Sequence, residues 1–92
     1  MSVLQELIAE HGAASFPMSV EKGRHYGEVD AVMIGADIYG WALHSTARSL
    51  TAVDRARLHA ARDALERSLA AFPDEARPYY AQLVALADSA LA

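Results

Sequence analysis

Between Thr51 and Phe72 one pattern repeats. Val53, Leu58, Ala61, Leu65, Leu69 and Phe72 recur mostly at three- and four-residue steps, the period of an amphipathic helix. Both ends of that helix are marked. Thr51 stands as an N-cap with Asp54 three residues on, and Leu50 occupies the staple position before it. Pro73 stops the helix, since proline lacks the N–H that continues it. Asp63–Arg67 and Arg62–Glu66 are opposite charges at i, i+4 on the wet side. The spacing predicts a helix over 52–72.

The flanking segments read the same way. Ser2 and Gln5 form a capping box. Leu4, Leu7, Ile8 and His11 follow at helical spacing, and Gly12 suits the residue just past a helix end. This is a helix over 2–11. Beyond Pro73, Asp74 is available as a cap and Pro78 falls in a first turn. Tyr79, Tyr80, Leu83, Val84, Leu86, Ala87 and Leu91 then give a helix over 77–91 two apolar faces. Twenty alanines and ten leucines among 92 residues favour helix throughout.

Residues 29–48 are the apolar centre. Val29, Val32, Met33, Ala36, Tyr39, Gly40 and Leu43 mark one stripe, and Ile34, Ile38 and Trp41 broaden it. A helix apolar on most sides is a buried one, so this segment is expected to be the hub. The alternative is a hairpin pairing 29–34 with 38–43 around Gly35. The helical period runs through that proposed turn and opposes it. The expected fold is therefore all-α: one domain, residues 1–92, a small irregular four-helix bundle with a long loop over 13–28. The expected core is Leu7, Val32, Met33, Ala36, Leu43, Leu58, Leu65, Leu69, Leu83 and Leu86.

Composition narrows the function classes. Hydrophobic residues are 53% and charged residues 22% of the chain, which excludes disorder. A net charge of −4 opposes a nucleic-acid surface. The stripe Arg55, His59, Arg62 is interleaved with Asp63 and Glu66, so it reads as a solvated, paired face. Without cysteine there are no disulfides, thiolate metal sites or cysteine nucleophiles. No stretch approaches the roughly 18–20 apolar residues of a membrane span, and the start of the chain does not read as a signal peptide. A cytoplasmic protein is expected, and seven arginines to one lysine hint at a bacterial source.

Two constellations are candidates for chemistry. Lys22, Arg24, His25 and Tyr26 form a cationic and aromatic cluster in the loop, flanked by Glu21 and Glu28. It is the candidate partner-binding segment, since loops on rigid scaffolds concentrate binding residues. Asp30, Asp37 and His44 are spaced by seven, so they share one helical face. Asp37 sits between Ile34 and Ile38, where a buried carboxylate needs a compensating partner. Successive members lie about 10 Å apart along a helix, too far for one helix to converge them on a metal. No cofactor, metal or catalytic motif is expected.

Size, acidity and the four-helix plan resemble the colicin immunity proteins in architecture alone, with no motif matched residue by residue. That resemblance implies an acidic inhibitor, with Glu21, Glu28, Asp74 and Glu75 steering a basic partner. The expected function is a non-catalytic protein-interaction module, an adaptor, regulator or inhibitor. The alternative is a small-molecule or metal-binding protein, possibly an enzyme, centred on Asp37 with His44 and Tyr26. A symmetric homodimer is expected through the last helix and part of the third, because two apolar faces exceed what one small bundle hides.

Overall fold

The computed structural model describes residues 2–92. Four helices pack against one another: α1 (Val3–Ala13), α2 (Met33–Ala47), α3 (Ala52–Ser68) and α4 (Arg77–Leu91). Between α1 and α2 a two-stranded antiparallel hairpin forms from β1 (His25–Tyr26) and β2 (Val29–Asp30). Single 3₁₀ turns at 69–71 and 74–76 carry the chain around Pro73 from α3 to α4. The all-α architecture and the four-helix plan are as the sequence predicts.

The N-caps of α1 and α3 form as expected, whereas Gly12 lies inside α1, which runs on to Ala13, and no side chain caps α4, Asp74 falling in the 3₁₀ turn before it. Ser2 and Gln5 make the reciprocal capping box of α1. The Thr51 hydroxyl accepts the Asp54 N–H at 3.1 Å to start α3. At the start of α2 the sequence reading needs correction. The predicted helix began at 29, but Val29 and Asp30 are extended and pair with Tyr26 and His25. Gly27 decides this: its φ of +61° turns the chain between the two strands, at the first turn position where type II′ hairpins favour glycine. One carboxylate oxygen of Asp30 then accepts the Val32 N–H at 3.0 Å and the Met33 N–H at 2.8 Å. Those donors have no partner within α2, so Asp30 supplies the cap. The two N–H groups hold its carboxyl below the usual range.

The hub is α4, not α2. Both helices touch the other three, but α4 packs against them more extensively. It buries Tyr80, Leu83, Val84, Leu86, Ala87 and Ala90, whereas α2 buries Ile34, Gly35, Ile38 and Ala42. Both apolar faces of α4 are thus spent inside the chain. This removes the reason for expecting a dimer through that helix.

The inward face of α2 is also not the predicted one. Val32, Met33, Ala36 and Leu43 were expected in the core, yet all four are exposed. The buried line is Ile34, Ile38 and Ala42, spaced by four. Gly35 joins it, with a hypothetical Cβ only 3.5 Å from Leu83 Cδ1. Periodicity in a helix apolar on two sides establishes the period but not the phase. The larger branched side chains Ile34 and Ile38 took the inside. Leu58, Leu65, Leu83 and Leu86 are fully buried, as predicted. Leu7 and Leu69 are half-buried at the margin, and Val53 lies outside the stripe at 59% exposure.

Charges lock α3 to its neighbours. The Arg62 guanidinium donates to Asp88 on α4 at 2.7 Å, to Asp63 at 3.1 Å and to Glu66. The predicted Asp63–Arg67 pair does not form. Arg67 instead donates twice to Glu28 in the hairpin, at 2.8 and 2.9 Å, a fork geometry that a carboxylate matches.

Candidate functional site

The segment between α1 and α2 is strapped to the bundle by an aromatic stack. Tyr26 is buried and lies parallel to Phe72, ring centroids 4.8 Å apart. Phe72 stacks on Tyr80 at 3.9 Å. The Tyr80 hydroxyl, fully buried, donates to the Ala31 carbonyl at 2.8 Å. Burial raises the Tyr80 pKa well above that of a free tyrosine, with Tyr79, Tyr26 and Asp30 adding to the effect. At the hairpin tip, the Glu28 N–H donates to Ser68 Oγ at 2.9 Å, and Ser68 donates in turn to the Ala64 carbonyl. Among the described residues Ser68 is the one buried polar residue in the core, and its hydroxyl both accepts and donates a hydrogen bond.

This geometry divides the predicted loop cluster. Tyr26 is a core residue, and its hydroxyl accepts the Glu21 N–H at 3.0 Å. Lys22, Arg24 and His25 are exposed. Arg24 lies 5.2 Å from the outer face of the Tyr26 ring and 3.6 Å from Glu21. Lys22 sits 5.6 Å over Phe16. Both cations therefore have local aromatic or acidic company. Three of the four carboxylates expected to steer a basic partner are engaged similarly: Glu21 with Arg24, Glu28 with Arg67, and Asp74 with Arg77 at 2.8 Å, while Glu75 is exposed.

Asp30, Asp37 and His44 do not assemble into a site. Asp30 is occupied as the α2 cap. Asp37 was expected to be buried between two isoleucines, but it is exposed, as is His44. Water solvates its charge, and no compensating partner is required. Among the described residues no group of three His, Asp or Glu side chains can hold a metal ion, and no pocket is present.

Two features escaped the sequence reading. The first is a half-buried histidine. His11 on α1 lies between Tyr39 on α2 at 5.0 Å and Tyr79 on α4 at 5.3 Å, with Phe16 against Tyr79. Its Nδ1 is buried without a hydrogen-bond partner among the described residues, and burial lowers its pKa. The only sequence signal was His11 in an otherwise apolar stripe. The second is the outward face of α2. Val32 is 40%, Met33 55% and Leu43 43% exposed, and Ala36, Gly40 and Ala47 are exposed between and beyond them. Their spacing, 33, 36, 40, 43 and 47, steps three, four, three, four, which is a coiled-coil seam. The period of this row is legible in the sequence, but the period alone does not say that the row faces outward.

Compared with protein families, curated proteins and solved structures, the chain matches none.

Proposed function

We propose that this protein is a non-catalytic protein-interaction module whose contact surface is the outward face of α2. The observation that supports this reading is the row Met33, Ala36, Gly40 and Leu43, apolar and in contact with solvent along one side of a helix whose other side is core. Contiguous exposed apolar surface on a small domain marks a site of association. The flanking residues Asp37 and His44 are exposed and polar, the usual rim around an apolar contact patch. The loop bearing Lys22, Arg24 and His25 belongs to a second, more hydrophilic surface and takes a secondary role in this reading.

The test is position-specific photo-crosslinking in cells of the source type. A photoreactive residue replaces Leu43 on α2, and in a control it replaces the exposed Arg57 on α3. A discrete crosslinked protein from position 43 and none from position 57 is the expected result. No product from position 43, or the same products from both, removes the α2 face from the function.

A further inference from the structure

Resting on that reading, we propose that the occupant of the α2 face is a second copy of this chain, packed antiparallel along the same helix. The face is self-complementary in charge only in that orientation. In heptad terms Met33, Gly40 and Ala47 take the a positions, Ala36 and Leu43 the d positions, and Asp37 and His44 both take e. Two antiparallel helices bring e positions of one against e positions of the other. With a two-fold axis between residues 40 and 43, Asp37 of each copy faces His44 of the other. The pair forms twice by symmetry, as an isologous contact requires. In a parallel pairing e positions face g positions instead, so Asp37 and His44 would meet Val32 and Tyr39 rather than each other. An imidazole N–H donates to a carboxylate whether or not the ring carries a charge.

The same register seats Leu43 of one copy over Gly40 of the other, and Ala36 against Ala47. Gly40 is otherwise unaccounted for. It lies in the middle of α2, where glycine weakens a helix, and a Cβ there would meet nothing within 4 Å. The remaining helical glycines differ: Gly35 lies against Leu83, and a Cβ on Gly12 would come within 3.1 Å of the Tyr39 hydroxyl. None of the described residues needs Gly40 to be small, whereas a close-packed second helix does.

The seam is short. In that register residues 36–47 overlap, twelve residues over about 18 Å, and a strip of that length and about 10 Å width buries only roughly 200 Å² on each copy, the range of weak, transient contacts. The dimer is thus concentration-dependent, with a Kd in the micromolar range or weaker.

Sedimentation equilibrium from tens of micromolar to about one millimolar tests it. The natural chain is expected to move from 9.9 kDa towards twice that mass. Leu43→Glu is expected to hold the mass at 9.9 kDa while the thermal unfolding of dilute protein is unchanged. Gly40→Ala should raise the melting temperature of dilute protein and weaken association, a dissociation that a purely structural role for Gly40 does not produce. Asp37→Lys and His44→Asp should each weaken association at least several-fold, and the two together should restore it. Because the chain has no cysteine, orientation is read separately: mixed Asp37→Cys and His44→Cys proteins should form the mixed disulfide in preference to either self-disulfide. A mass of 9.9 kDa at the highest concentration, a dimer surviving Leu43→Glu, or self-disulfides prevailing would each overturn the proposal. In the crosslinking experiment, a product of twice the chain mass supports the second copy. A product with a different protein refutes self-pairing but leaves the interaction module standing.

Discussion

Tyr80→Phe deletes one oxygen from the centre of the bundle. The ring is 0% exposed and stacked on Phe72, so phenylalanine keeps the packing. What goes is the 2.8 Å hydrogen bond to the Ala31 carbonyl, between residues 49 apart in sequence. A typical hydrogen bond contributes about 1 kcal/mol net, and stranding a buried acceptor costs about 1–3 kcal/mol. Ala31 is 1% exposed, so water does not reach the carbonyl cheaply and the expected loss is about 2 kcal/mol. At roughly 4–8 °C per kcal/mol for a domain this size, the melting temperature falls by roughly 8–16 °C. Urea unfolding followed by circular dichroism and by the fluorescence of Trp41 should give a lower midpoint with an unchanged slope. Tyr79→Phe is the control, since the Tyr79 ring is only half-buried and its hydroxyl has no hydrogen bond to another described residue. Hydrogen exchange should locate the damage in 24–32, because the Ala31 N–H bonds the Arg24 carbonyl. If Tyr80→Phe costs no more than Tyr79→Phe, the strap is held by stacking alone and the reasoning is wrong.

The hairpin glycines separate by surroundings. Gly27→Ala places a Cβ 2.7 Å from Ser68 Oγ and 3.2 Å from its Cα at a φ of +61°, so strain of about 1–2 kcal/mol adds to overpacking of about 1–3 kcal/mol. Gly23→Ala, at φ +84° in open space, carries the backbone strain alone, and a chemical-denaturation comparison giving equal losses would refute the clash. In alkali, folded Tyr79 and Tyr80 keep protons that the unfolded chain releases near pH 10, because burial raises both pKa values. The contribution of the two tyrosines is thus level below about pH 10 and stability declines above it, less steeply in Tyr80→Phe; equal slopes in denaturant midpoints would count against the buried hydroxyl. His11 acts on the other side. Burial lowers its folded pKa below the unfolded value of 6.5, so the unfolded chain takes up the proton first and stability drops as pH falls below 6.5. Asp30, Glu28 and Asp63, also held down, act only below about pH 4.5. Denaturant midpoints at pH 5 and 7.5 should therefore differ less in His11→Phe than in the natural chain, and an NMR titration midpoint of His11 at or above 6.5 would contradict the burial.

Local chemistry determined the elements. Ser2 with Gln5, Thr51 with Asp54, and Pro73 act within one turn of chain, so α1, α3 and the break before α4 could be read directly, and with them the fold class. The choice of inward face was different in kind. Along α2 the rows through Ile38 and through Gly40 are both apolar, and packing against the other helices, with Leu83 of α4 beside Gly35, selects between them. The same selection carried Asp37 and His44 to the surface and undid the buried-carboxylate site. The start of α2 also turned on a distant contact. Asp30 is a good cap wherever a helix begins, but the chain stays extended to that point because Gly27 turns it into the hairpin and Ser68 and Arg67 at the end of α3 hold Glu28 there. Tyr26 went inward for a comparable reason, since Phe72, 46 positions later in the sequence, offers a ring to stack on. Caps and periods are properties of neighbouring residues. Phase, burial and the hydrogen-bond partners of the strap depend on residues that only packing brings together.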